Sequence, residues 1–306
     1  MAGKELIRIK TISEFHRLRG LPKPSHPLIS VVDYAAINLS TEYNGTSWTF
    51  DFYSIAVKRG LNGKMKYGQQ EYDFDEGVMF MMSPHQLLGI EITVDHNIEH
   101  SGWLLLIHPD FFRNTSLAKN IHKYEFFDYT ANEALFLSGR EESILNNIIQ
   151  NIQQEYHTNI DKFSQDIIIS QIETLLNYTG RFYQRQFITR KIVNHKILDQ
   201  LETLLNQYFS GEDLTNTTVP TVQYVSNALN ISQSYLSGLL KVLTGKSTQQ
   251  HIHDKLIEKA KEKLSTSTLT VSEIAYALGF EHPQSFSKLF KSKTNKTPLE
   301  FRASFN

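Results

Sequence analysis

Two short stretches carry side chains whose types and spacing suit hydrogen bonding to a polymer rather than covalent chemistry. Gln284, Ser285, Ser287, Lys288 and Lys291 fall on the outward side of a helix-period run whose inward side is Phe286, Leu289 and Phe290. Gln233, Ser234, Ser237 and Lys241, with Ser232 as N-cap, stand in the same relation to Leu236, Leu239 and Leu240. Amide and hydroxyl groups donate to and accept from base edges, and lysines neutralise phosphates, when a helix carries them into a major groove. The plainer alternative is a helical hairpin with a solvated outer face.

The elements that position these side chains are legible around them. Thr270 and Glu273 form a capping box ahead of a short helix whose apolar face is Ile274, Ala275 and Leu278. Gly279 stands where a tight turn requires φ > 0. The unit occurs twice. Val222, Val225, Ala228, Leu229 and Ile231 match Val271, Ile274, Ala277, Leu278 and Phe280 at one offset. Leu236, Ser237, Leu239, Leu240, Lys241, Thr244 and Lys246 match Phe286, Ser287, Leu289, Phe290, Lys291, Thr294 and Lys296 at an offset one residue longer. A repeat that slips by one residue at its loop is one supersecondary unit built twice. Between the copies, Ile252, Leu256, Ala260 and Leu264 form the stripe of a connecting helix. A rigid helix there spaces two reading helices near one DNA turn, roughly 34 Å.

The pattern I-A-x-x-L-G-F, S-F-S-x-x-F-K and T-P-x-x-F-R is carried by Ile274, Ala275, Leu278, Gly279, Phe280, Ser285, Phe286, Ser287, Phe290, Lys291, Thr297, Pro298, Phe301 and Arg302. It is similar to the signature of the AraC/XylS family of bacterial transcription regulators, from about Asn194 to the C-terminus. Two positions depart from that signature. Leu256 stands where many members have arginine, removing a phosphate contact, and Asn295 stands where glycine is usual.

Composition sets wider bounds. The chain has 306 residues, a length that suits about two domains of ~150 residues. No apolar run reaches the ~18 residues of a membrane helix, and the opening residues lack a signal peptide's apolar core, so a cytoplasmic protein without a membrane partner is expected. With no cysteine, disulfides, thiolate catalysis and Cys-based zinc sites are excluded. From Ile188 onward Lys and Arg number 14 against 10 Asp and Glu, leaving 17 against 22 before it. A modestly basic C-terminal part follows an acidic N-terminal one.

Residues 1–47 read poorly, although Leu28 to Val32 suits a strand. From Trp48 to about Ile107 the period is two: Tyr53, Ile55 and Val57 alternate with Ser54, Ala56 and Lys58. An Asn62-Gly63 turn follows, then Tyr72 and Phe74, the apolar run Val78–Met82, alternating Ile90, Ile92 and Val94, and a run Trp103–Ile107. The stretch YDFDEGVMFMMSP resembles a strand pair of the cupin-like sensor barrel common in this regulator family. Met79, Met81 and Trp103 are the candidate lining of a ligand pocket. Metal-dependent cupins place two or three His and a Glu on facing strands. His85, Glu91, His96 and His100 are the local candidates, but the H-x-H spacing is missing and His85 follows a proline. No metal, cofactor or catalytic residue is therefore assigned, and the chain does not read as an enzyme.

Beyond Phe112 the period lengthens. Ser138 and Glu141 make a capping box before a stripe of Ile144, Leu145, Ile148, Ile149 and Ile152. A second helix carries Ile168, Ile172, Leu175, Leu176 and Phe182. These stripes bury against the barrel or against a second subunit; the reading adopted is the second, a homodimer. The expected fold is multi-domain α+β: a cupin-like β-barrel (1–135), a helical linker or dimerisation pair (136–187), and an all-α domain with two helix-turn-helix units (188–306). The resemblance implies a ligand-responsive activator that binds double-stranded promoter DNA, recruits RNA polymerase and takes an unknown small-molecule effector. The alternatives are a ligand-independent DNA-binding protein with a barrel used only for dimerisation, and a cupin-type enzyme with a helical scaffold.

Overall fold

The segments of period two pair into two sheets in the computed structural model, which describes residues 6–38, 43, 46–59, 77–89, 100–130, 133–157, 163–210 and 218–304. The smaller sheet joins β1 (Leu6–Ile9), β3 (Ser47–Phe50) and β6 (Leu88–Gly89), with β1 parallel and β6 antiparallel to the central β3. The larger sheet contains β2 (Ile29–Asp33), β4 (Tyr53–Arg59), β5 (Val78–Met82), β7 (Ser101–Ile107) and β8 (Leu135–Phe136). Its order is β2-β7-β4-β5-β8, antiparallel throughout. Among the described residues these are two open sheets, not the closed barrel expected from the sequence. The Asn62-Gly63 turn and the alternating segments at Tyr72 and Ile90 lie outside the described residues.

Both faces of the larger sheet are covered. One face presents Val32, Ala56, Val78, Leu104 and Leu106 to Trp48, Phe50 and Phe52, and α1 (Ile12–Leu18) adds Ile12 and Phe15 to the same core. The opposite face presents Ile55, Val57, Met79, Met81, Trp103 and Leu105, all buried. It lies under α3 (Gly139–His157) and α4 (Ser164–Thr189). Trp103 Nε1 donates to Asn146 Oδ1 at 2.8 Å, Val31 N donates to the Tyr156 hydroxyl at 3.1 Å, and Thr179 Oγ1 meets Met79 Sδ at 3.8 Å. The short helix α2 (Ser116–Asn120) precedes them. Close approach of β4 and β7 requires Gly102: with φ of 122°, a Cβ there would sit 2.0 Å from the Val57 carbonyl oxygen.

The helical stripes are covered inside the subunit. Leu145, Ile149 and Ile152 of α3 and Ile168, Ile172, Leu175, Leu176 and Phe182 of α4 are buried in the single chain. The sheet face they meet is itself apolar, so pairing the two surfaces removes both from water at about 25 cal/mol per Å². Polar ties fix the helices there. Ser138 and Glu141 cap α3 as expected, and Arg185 grips the same Glu141 through two nitrogens at 3.0 and 2.7 Å. The chain divides into compact units of residues 1–186 and 187–306.

The second unit is all helix: α5 (Lys191–Ser210), α6 (Val222–Leu229), α7 (Gln233–Thr244), α8 (Thr248–Thr266), α9 (Val271–Ala277), α10 (Pro283–Thr294) and α11 (Pro298–Ala303). One core joins Leu201 and Leu205 of α5, Val225, Leu236, Leu240, Ile252, Leu256, Ile274, Phe286 and Phe290. Leu256 has no solvent exposure, so this departure from the family signature fills the core.

Candidate nucleic-acid interface

The two helical pairs, α6–α7 and α9–α10, are built on matching caps. Thr221 accepts from Tyr224 N and Thr270 from Glu273 N at the starts of α6 and α9. The turn after the first helix is left-handed at Asn230 in one copy and at Gly279 in the other, with φ of 55° and 86°. The end of the second helix is left-handed at Gly245 and Asn295, with φ of 74° and 58°. Asparagine and glycine have exchanged places between the copies. They are the residues that take this conformation at least cost. Ser247 and Thr297 then begin α8 and α11 with full capping boxes to Gln250 and Glu300. The one break in the pattern is His282, which makes no side-chain cap; Pro283 opens α10 instead.

This frame sets the faces of α7 and α10. Leu236, Leu239, Leu240, Phe286 and Phe290 point inward and are buried. Gln233, Lys241, Gln284, Ser285, Lys288 and Lys291 are exposed, while Ser234, Ser237 and Ser287 are half-buried. Ser232 is committed to its backbone as the N-cap, accepting from Tyr235 N at 3.2 Å. Gln233 is also engaged: its amide donates to Gln223 Oε1, and Gln223 Nε2 donates to Asn227 Oδ1 at 2.7 Å. Gln223 and Asn227 thus join the α7 surface from α6. The sequence reading missed them because only the fold brings α6 beside α7. Among the described residues Lys241, Lys288 and Lys291 make no ion pair.

Other lysines are tied down. Asp254 of α8 takes Lys246 Nζ at 2.8 Å and Lys293 Nζ at 3.0 Å, linking the loop after α7 to the last turn of α10. Burial pushes the Asp254 carboxyl up, and hydrogen bonds from the two ammonium groups more than offset this, holding it below the usual carboxylate range. His251 and His253, both just ahead of Asp254 in α8, are pulled below their ordinary 6.5 by burial first, then by Lys246 and Lys293 respectively. Arg302 is structural: its guanidinium donates to the Leu264 and Leu269 carbonyls at 3.3 and 2.6 Å, fastening α11 to the end of α8.

Two paired helices with equivalent outward faces, joined by a helix in one core, give the residues matched by a known family: residues 225–304 match the helix-turn-helix domain of AraC type. The chain carries a helix-turn-helix domain of AraC type at its C-terminal end. An uncharacterized HTH-type transcriptional regulator encoded in the cgkA 5′ region of Pseudoalteromonas carrageenovora is 31% identical over 116 residues, 38% of this chain and 64% of that protein. The xylose operon regulatory protein of Escherichia coli is 35% identical over 81 residues, 26% of this chain and 21% of that protein. The C-terminal domain of the two-component response regulator yesN from Fusobacterium nucleatum aligns at 33% identity over 33% of this chain and 96% of that one, with a TM-score of 0.29. The chain spans less than two thirds of the length of these curated relatives. The matched AraC-type stretch lies within the second unit.

The sheet-bearing unit holds the remaining residues singled out in the sequence. Met79, Met81 and Trp103 are at 0%, 7% and 7% exposure on the helix-covered face, part of the buried core. Both faces of β5 are apolar, so alternation alone did not tell which face meets the helices. His85 is an exposed turn residue, 3.4 Å from Asp51 Oδ1. Glu91 and His96 lie outside the described residues. Among the described residues no three His, Asp or Glu side chains gather as a metal site, and no helix is long and apolar enough to cross a membrane.

Proposed function

We propose that this chain is a ligand-responsive transcription regulator that binds double-stranded promoter DNA through both helical pairs. The observation that carries the reading is the exposure, on the equivalent helices α7 and α10, of polar side chains beside lysines that make no ion pair among the described residues. Ser234, Ser237, Lys241 and their counterparts Gln284, Ser287, Lys291 would face the groove, with Ser285 and Lys288 added on α10. Ser232 orients α7 from its cap and Gln233 contributes through its pairing with Gln223. The 19 residues of α8 span about 28 Å, a suitable spacer for helices entering successive major grooves. The N-terminal unit acts as a cupin-like double-sheet sensor, a small-molecule effector biases the placement of the DNA domain, and the active species is a homodimer that recruits RNA polymerase.

Selection of fragmented genomic DNA on the purified full chain near ~150 mM salt tests the reading. A small set of promoter fragments sharing a motif supports it. Uniform recovery that disappears as salt rises marks a nonspecific binder and overturns sequence-specific regulation.

A further inference from the structure

The polar surface that α6 and α7 share contains a chain of three side-chain amides. Gln223 and Asn227 are one helical turn apart on α6, and Gln223 Nε2 donates to Asn227 Oδ1 at 2.7 Å. Gln223 Oε1 in turn accepts from Gln233 Nε2 across the turn, while Val225 and Leu236 hold α6 and α7 in one core beneath. Gln233 is the first residue of α7, and all three residues are exposed. Among the described residues, Gln233 Oε1 takes no hydrogen bond. The second helical pair is built differently. Pro283 opens α10 where Gln233 opens α7, and the Gln284 side chain makes no hydrogen bond among the described residues.

A free glutamine amide turns over at little cost and so exchanges its donor and acceptor ends. In this chain, reversing one amide alone would set two carbonyl oxygens or two amino groups face to face, so the three keep one order together. That order leaves Gln233 with an acceptor, Oε1, and the one amide hydrogen that Gln223 does not use. In the major groove adenine presents a donor at N6 beside an acceptor at N7, the pair a glutamine amide complements. Residues at the N-terminal end of a reading helix are the ones that reach base edges. We propose that Gln223 is a positioning residue for base reading: it holds the Gln233 amide in the order that selects adenine at one base pair facing α7. The inference rests on the DNA-binding reading above. It gives the first helical pair a stricter preference at that base pair than the unbuttressed Gln284 gives the second.

The test selects duplexes with a randomised core on the full chain, then measures the consensus and its single-base-pair variants by fluorescence anisotropy. Gln233→Met identifies the base pair that Gln233 reads, expected to be an A·T pair favoured roughly 5- to 150-fold, the range of one bidentate contact. Gln223→Met, which keeps the length and removes the amide, is expected to lose most of that preference and no other. Gln223→Glu still accepts from Gln233 and is expected to keep the preference, although its charge weakens binding to every duplex. A packing role for Gln223 would not separate these two variants. A base pair read by Gln233 that is not A·T overturns the proposal, as does the absence of any Gln233-dependent base pair. A preference that survives Gln223→Met, or falls equally in Gln223→Met and Gln223→Glu, overturns it too. A consensus indifferent to Gln223 removes this inference alone, whereas failure of the parent chain to select any consensus removes the regulatory reading and this inference with it.

Discussion

Replacing Lys288 and Lys291 together by alanine tests the interface most directly. Both side chains are exposed on α10 and neither makes an ion pair among the described residues, so each is available to displace a condensed counterion from a DNA phosphate. Each phosphate neutralised contributes about 0.9 to the slope of log K against log salt concentration, so the double variant should lose about 1.8. Over a fourfold rise in salt that difference amounts to roughly 12-fold in affinity, by which the variant should be less salt-sensitive than the parent chain. Folding stability should stay within about 0.5 kcal/mol, because both side chains are surface groups. The control is Lys255→Ala with Lys259→Ala, two lysines of α8 already paired at 2.8 Å with Glu258 and Glu262. Fluorescence anisotropy of a labelled mixed-sequence duplex across a salt series gives both slopes. An unchanged slope in the α10 variant, or an equal change in the α8 control, would refute the assignment of α10 as the phosphate-facing helix.

Three further outcomes follow from the packing and the titrating groups. Phe286→Ala removes a side chain with no solvent exposure from the core of the second unit and should cost about 3–5 kcal/mol in urea unfolding followed by circular dichroism. Both tryptophans, Trp48 and Trp103, lie in the first unit, so their fluorescence should report little of that change. Gly102→Ala should destabilise the first unit by at least ~1–3 kcal/mol, visible in tryptophan fluorescence, because φ is positive and the new Cβ meets the Val57 carbonyl; a neutral result would mean the strands separate freely there. His251 and His253 bind protons less readily folded than unfolded. The stability of the second unit should therefore fall as pH drops below 6.5 and level off beneath the folded values. Imidazole NMR titration showing either group above 6.5 would contradict this.

The repeat was legible because its signals are local. A capping hydrogen bond spans three residues, an apolar helix face recurs every three or four, and a left-handed turn is marked by one glycine or asparagine. Thr270, Glu273, Gly279 and the Ser138–Glu141 box all fell where their types placed them. The strands Val78–Met82 and Trp103–Ile107 were found for the same reason, as runs. Their orientation was not, since a strand buried on both faces loses the alternation that would distinguish inside from outside.

By itself, then, the sequence determined two matched helical pairs, their outward polar faces, and a sheet-bearing segment before them. Tertiary structure decided everything that depends on partners distant along the chain. It turned Met79 and Trp103 toward helices more than forty residues away and left Lys58 and Phe80 facing the other sheet. It covered the stripes of α3 and α4 within one subunit, tied Lys246 and Lys293 to one aspartate, and joined Gln223 of α6 to Gln233 of α7. Local composition fixes which surfaces must be buried or paired; only the closed fold selects which surface each one meets.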